Sequence, residues 1–283
     1  MSVSKLLKRI VAPELSNKEM KALKTVDDVA AHLHDYTHGI NSDPLLALAI
    51  TISALIHDVD HRGVANSRLI VEEPAMAAKY RNESVAEQNS LDIAWDILMS
   101  NDFSELRRCL FPTDAELMRF RQLLVNVVLA TDIMDKKLNG LRKQRWERAF
   151  SEDKDHGLNE TDLRATIVIE HIIQASDVSH TMQHWHIYRK WNERLFREVY
   201  KGYVDRRLDH DPSSNWYKGE LGFFDFYIIP LAKKLKDCGV FGVSSDEYLG
   251  YAQANRHEWE ERGEELVSQM LANAKNEFGV SDD

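Results

Sequence analysis

Residues 55–61, LIHDVDH, place His57, Asp58, Asp60 and His61 within five positions at the end of an apolar run. An imidazole and a carboxylate side by side after a buried helix are a common pair of ligands for zinc, manganese or magnesium. Asp60 and His61 are better placed behind them, to orient a ligand or a bound water. Two further acids repeat the arrangement: QLLVNVVLATD ends on Asp132 and TIVIEHIIQASD ends on Asp177. In each case an apolar helix carries an aspartate near its C-terminal end, where the macrodipole disfavours an anion. A buried carboxylate there costs several kcal/mol unless it finds a cation, a proton or a dense hydrogen-bond shell. One divalent cation shared by Asp58 and Asp177 accounts for two of the three acids, whereas Asp132 taken alone reads as a solvated helix end. Ser176, beside Asp177, has no base at a recognisable spacing and is not read as a nucleophile.

These residues need helices to position them. Glycine and proline are scarce and apolar residues recur mostly at helical spacing, so the chain is predicted to be all-α. The pattern predicts helices near 3–11, 17–31, 44–57, 66–80, 85–100, 114–132, 136–151, 161–180, 184–207, 221–237 and 246–276. Capping boxes at Ser16-x-x-Glu19, Ser84-x-x-Glu87 and Thr113-x-x-Glu116 open three of them, and Asp43-Pro44 opens another. The polar stretch 151–159 is the clearest loop, and the 283 residues are expected to form a single domain. The formal charge of −10 argues against a nucleic-acid polymer or an anionic membrane as partner. Cys109 and Cys238 are far apart, as suits a reducing compartment. The run Leu45 to Ile56 is shorter than the roughly 20 residues that span a bilayer. The expectation is a cytoplasmic chain without membrane insertion.

The segments SALIHDVDHRGVAN, SVAEQNSLDIAWDIL, VVLATDIM, IIQASDVSH and GELGFFDFYIIPLA occur in the order found in class I 3′,5′-cyclic nucleotide phosphodiesterases, within the HD metallohydrolase superfamily. The chain resembles that catalytic domain from about Leu45 to its C-terminus. The resemblance implies a compact multi-helix bundle and hydrolysis of cyclic GMP or cyclic AMP to nucleoside 5′-monophosphates in signalling. It implies two divalent metals, zinc in the tighter site and magnesium or manganese in the other. His57, Asp58 and Asp177 would ligate the first, with Asp58 bridging to the second. His61, Glu87 and Thr131/Asp132 would hold the waters around the second metal, and Phe223 would clamp the base. Such domains are often fused to other signalling modules, so a larger multidomain protein is expected.

Two departures matter. The family carries an earlier HNxxHAxxV segment, whose first histidine is the general acid and whose second is a further metal ligand. No such segment occurs in these residues, so the chain is expected to be an N-terminally truncated domain with little activity alone. The competing readings are a non-catalytic regulatory fragment or another HD-type phosphohydrolase. His34 and His38, in HLHDYTH, have a metal-like spacing, but the segment is predicted to be an exposed polar loop. The second departure is Glu220, which stands where the family has a glutamine against the purine edge. An ionised carboxylate only accepts hydrogen bonds, which suits guanine and opposes adenine N1. His180 lies where some members place an asparagine near the base. The aromatics of HWHIYRKWNERLF read as a packing stripe, His171 as a satisfied core histidine, and RHEWEERGEE as a solvated face.

Overall fold

The computed structural model describes residues 2–10, 25–150, 158–241 and 244–280. The fold is all-α, with no strand among the described residues. In chain order the first helices are α1 (Ser2–Lys8), α2 (Val26–Tyr36), α3 (Pro44–Ile56), α4 (Asn66–Glu72) and α5 (Pro74–Lys79). Next come α6 (Val85–Met99), α7 (Ser104–Leu110), α8 (Asp114–Leu129), α9 (Lys136–Ala149) and α10 (Leu158–Asp177). The rest are α11 (Trp185–Val204), α12 (Trp216–Phe223), α13 (Ile229–Asp237) and α14 (Ser244–Phe278).

Helix α3 shows how local chemistry sets an element. Asp43 accepts from the Leu46 amide, Pro44 occupies the first turn, and the thirteen helical residues Pro44–Ile56 contain no charge. It buries Leu46, Ala49, Ile50, Ser53 and Ile56 against α8 and α10. Helix α8 is opened by the reciprocal Thr113–Glu116 capping box that the sequence predicts. The α10 residues Val168, Ile169, Ile172 and Ile173 are buried in the main core, which reaches from Val3 to Ala274. Burying an aliphatic side chain of this size is worth about 1.5–3 kcal/mol before entropy is counted.

Several expectations are corrected. The 66–80 stretch is two helices, because Pro74 lacks an amide and Glu73 before it leaves the helical region, with φ −126° and ψ 62°. The Ser84 box does not form: Ser84 takes a left-handed φ of 39° and gives its hydroxyl to Asp132 instead. The Ser16 box lies outside the described residues. The 221–237 stretch is interrupted by a π-helical turn, Phe224–Ile228, between α12 and α13. HLHDYTH is no loop: α2 carries His32 and His34, is opened by a Thr25–Asp28 capping box, and ends in a turn where His38 is half-buried with φ 52°. His34 hydrogen-bonds Ser42, so its imidazole is committed away from the acids. RHEWEERGEE is not wholly solvated, because Trp259 is fully buried in the core and Gly263 leaves room for it. A Cβ on Gly263 would lie 2.8 Å from the Tyr217 ring and 2.9 Å from Trp259. Of the predicted aromatic stripe, Tyr188 and Phe196 are buried but Trp191 is exposed.

His171 is the core histidine that the sequence suggests, buried and donating from Nδ1 to the Ile167 carbonyl at 2.7 Å. Burial lowers its pKa to about 4. The unfolded chain takes up this proton near pH 6.5, before the folded chain does. Folding stability is therefore lost as pH falls from about 6.5 to 4, by roughly 3 kcal/mol for this group. Denaturant titrations at pH 7 and pH 4.5 should show a smaller acid loss in His171→Leu than in the parent. Equal losses would mean that this imidazole titrates normally.

Candidate metal centre

Two helices end at one place. His57 is the C-cap of α3 with Asp58 just beyond it, and Asp177 is the last residue of α10. His57 Nε2 lies 3.3 Å from Asp58 Oδ2 and 3.4 Å from Asp177 Oδ1. One ligand atom from each of the three residues falls within 4.8 Å of the others. His57 Nδ1 donates to the Ala54 carbonyl at 3.1 Å, which turns Nε2 toward the two acids. This is the usual way a backbone carbonyl orients a ligating imidazole. The hydrogen bond to Asp177, against the cost of burial and with the charge of Asp58, raises the His57 pKa to about 9. Two carboxylates and two helix C-termini thus create a field that favours positive charge. Asp58 and Asp177 keep 65% and 39% of their side-chain surface, so the cluster opens to solvent. A nitrogen and carboxylate oxygens are a donor set that suits a divalent cation of borderline or hard character.

The turn after His57 is held by α6. Ser90 Oγ donates to the Val59 carbonyl at 2.7 Å, and Asn89 Nδ2 donates to Asp60 Oδ2 at 3.3 Å. Asp60, at φ 62°, also pairs with Arg62 at 3.2 Å, so it anchors the turn. His61 is exposed, accepts from the Gly63 amide through Nδ1, and lies close enough to Glu87 to stabilise that carboxylate's charge. Burial raises the Glu87 pKa, while the Asn66 amide, 2.9 Å away, opposes the shift.

Asp132 is not a solvated helix end. It is buried, and its oxygens accept from Ser84 Oγ (2.7 Å), Asn66 Nδ2 (3.3 Å) and the amides of Met134 and Asp135 (3.1 and 3.2 Å). The buried Arg142 answers the unfavourable helix end by donating to the carbonyls of Leu129 and Asp132, and Gln174 donates to that of Ala130. Thr131 Oγ donates back to the Val128 carbonyl at 2.8 Å.

A second group of side chains adjoins the cluster. Tyr227, in the π turn, feels the Asp177 charge and stacks on Phe223 with ring centroids 5.4 Å apart. His180 lies parallel to Tyr188 at 6.4 Å, and burial lowers its pKa to about 4 against the nearby Asp177 charge. Tyr188 donates to Glu220 Oε2 at 2.6 Å, and Trp216 donates to Asn192 Oδ1 at 3.2 Å. Burial raises the Glu220 pKa, opposed by hydrogen bonds from Tyr188 and Asn192. The sequence reading missed Asn66, Ser84, Tyr188, Asn192 and Tyr227. The first two look like ordinary loop and capping residues, Tyr188 was assigned to packing alone, and a π turn carries no residue signature.

Comparison with known proteins bears on this arrangement. The chain is 27% identical over 263 residues to a probable 3′,5′-cyclic phosphodiesterase of Caenorhabditis elegans, covering 84% of this chain and 36% of that protein. It is 27% identical over 225 residues to a 3′,5′-cyclic-AMP phosphodiesterase 4C of Mus musculus, covering 76% and 32%. The chain thus spans about a third of the length of these curated relatives. The fold matches the crystal structure of the phosphodiesterase domain of Salpingoeca rosetta rhodopsin phosphodiesterase, with a TM-score of 0.65 at 21% identity over 96% of this chain and 82% of that one. The profile of the family described as 3′5′-cyclic nucleotide phosphodiesterase matches residues 22–240, which hold the three clustered residues and the Glu220–Phe223 segment, and the chain belongs to that family.

Proposed function

We propose that this chain is a metal-dependent catalytic domain that hydrolyses 3′,5′-cyclic nucleotides to nucleoside 5′-monophosphates. The observation that carries the reading is the convergence of His57, Asp58 and Asp177 beside the Tyr227–Phe223 ring pair. His57, Asp58 and Asp177 would hold one divalent cation, zinc as the family resemblance implies, and Asp58 would also face a second, magnesium or manganese. Bound there, such ions supply Lewis-acid charge for an anionic phosphodiester and activate water. His61, Glu87 and Thr131/Asp132 would hold the waters around that second ion. Phe223 offers a face for the base, with stacking worth about 0.5–1.5 kcal/mol. His180, kept neutral, has a ring nitrogen that can accept or donate near it.

Glu220 is the proposed reader of the purine edge. Ionised, it accepts from guanine N1–H and the exocyclic amine; protonated, it donates to adenine N1. Hydrogen bonds from Tyr188 and Asn192 stabilise the carboxylate but only partly offset burial, which raises its pKa; the ionised form is the one that would favour cyclic GMP. Glu220→Gln is expected to raise the cyclic AMP to cyclic GMP ratio of kcat/KM by about tenfold or more. An unchanged ratio would remove Glu220 from base recognition.

These 283 residues contain no HNxxHAxxV segment. Assayed alone with zinc and magnesium, the chain is expected to turn over slowly. Extending it at the N-terminus with that segment should accelerate hydrolysis about 10²–10⁴-fold, the usual worth of a positioned general acid. Failure of both lengths to hydrolyse either cyclic nucleotide would overturn the function. Rapid turnover by the chain alone would overturn the need for that acid. The share of the relatives' length that it spans fits a module within a larger signalling protein. Among the described residues no helix is long and apolar enough to cross a membrane.

A further inference from the structure

Helix α9 reverses the charge of the molecule around it. Its sequence, KKLNGLRKQRWERA, has six basic residues and one acid in a chain of net charge −10. Between α9, α10 and the π turn leading into α13 lies a groove of about 280 Å³ lined by Arg142, Lys143 and Lys234, with no aspartate or glutamate among its lining residues. The cations are poorly neutralised. Arg142 is buried and hydrogen-bonds the Asp132 and Leu129 carbonyls and the Asn139 side chain, while the Glu170 and Asp132 carboxylates act on it only through space. Lys143 reaches Glu147 only at 3.9 Å. Lys234 sits over the Trp146 ring, 5.2 Å from its centroid. Burial, reinforced by the charges of Lys143 and Arg142, lowers the Lys234 pKa. His171, on the groove wall, is held neutral and adds no charge.

Buried Arg142 and partly buried Lys234 have carboxylates nearby but no direct ion pair, and a bound anion would return part of the cost of crowding them. Lysine ammonium groups, compact and rich in donors, suit phosphate oxygens. The opposite wall adds two rings: Phe226, 86% exposed, and Tyr227. An exposed phenyl ring beside three cations fits a phosphate that carries a flat apolar group. We propose that this groove is a second anion site, separate from the metal centre, which takes a phosphomonoester dianion on Lys143 and Lys234 with Arg142 as the buried charge behind them. Tyr227 forms part of its wall and also faces Asp177, so the two sites share one side chain. The inference concerns binding and stands whether or not the chain hydrolyses cyclic nucleotides.

The test uses the 283-residue chain after metal removal with a chelator, so that the metal centre cannot supply the phosphate site. Inorganic phosphate and a nucleoside 5′-monophosphate are titrated separately, followed by calorimetry and tryptophan fluorescence. Saturable binding of either is expected, weakened by added salt. Tighter binding of the nucleotide would assign the rings to its base, and equal binding would assign the site to the phosphate alone. Joint Lys143→Gln and Lys234→Gln substitution should weaken binding by about tenfold or more, while Lys234→Arg restores most of it. The fluorescence change should vanish in Trp146→Phe while the calorimetric affinity persists. Lys143 is exposed, so Lys143→Gln alone gives a readout even if the double variant fails to fold. No saturable binding, binding indifferent to both lysines, or binding abolished by Asp177→Asn in the metal-free protein would overturn the proposal.

Discussion

Asp177→Asn should lower the affinity of the metal centre for zinc by more than about 100-fold and cost the metal-free chain no more than about 2 kcal/mol at neutral pH, where its carboxylate holds the His57 proton. The size follows from comparison: losing a group behind the ligands typically costs about 10–100-fold in metal affinity, and Asp177 offers its oxygen directly to the cluster. An amide keeps the shape but removes the charge that a divalent cation needs. The stability expectation rests on exposure. Asp177 keeps 39% of its side-chain surface and is hydrogen-bonded to His57, so the loss is confined to that pair. Asp60→Asn is the control. Asp60 is tied to Asn89 and Arg62, so its loss should affect zinc affinity by no more than the lower figure. Competition titration against a chromogenic chelator reads both. Unchanged zinc affinity in Asp177→Asn would remove α10 from the centre, and with it the proposed chemistry.

Why are these three residues legible in the sequence? Each sits at the end of a segment whose apolar periodicity is unmistakable, so its position relative to a helix end is set by local pattern alone. The same logic placed α3, α8 and α10 to within a few residues. Sequence reading failed where the deciding partner lies far along the chain. Ser84 and Glu87 have the letters of a capping box, but Asp132, 48 residues on, takes the Ser84 hydroxyl. The burial of Trp259 depends on Gly263 and on Tyr217 across the interface, although the surrounding sequence is densely charged. The Thr25–Asp28 box was missed because aspartate replaces the usual glutamate, and the histidines after it then looked like loop. The Glu73–Pro74 break is the one correction that the sequence itself carries, in the proline. The groove beside α9 brings Lys143 and Lys234 together from helices separated by α10, and no local spacing reveals that.

Asp132→Ala should show the opposite pattern to Asp177→Asn, with a large loss of stability and a smaller loss of metal affinity. The two aspartates end similar apolar segments, but burial separates their roles. Asp132 is 6% exposed and receives four hydrogen bonds, from Ser84, Asn66 and the amides of Met134 and Asp135. Truncation leaves the Ser84 hydroxyl and two amides without their acceptor; Asn66 retains Glu87. An unsatisfied buried donor costs about 1–3 kcal/mol; the Ser84 hydroxyl is buried and the two amides only partly, so a total of about 3 kcal/mol or more is expected. For a chain of this size that corresponds to a fall in Tm of roughly 10 °C. Ser84→Ala removes one donor together with its need for an acceptor and should cost only about 1 kcal/mol, from the same balance of made and unmade hydrogen bonds. The Asp132 cluster links α4, the start of α6 and the end of α8, which is why its loss reaches the fold before the metal. Denaturant unfolding of the two alanine variants, read beside zinc titration, separates the roles. A destabilisation below about 1 kcal/mol in Asp132→Ala would show that water replaces the carboxylate without loss, and would return Asp132 to the solvated helix end that its sequence position alone suggests.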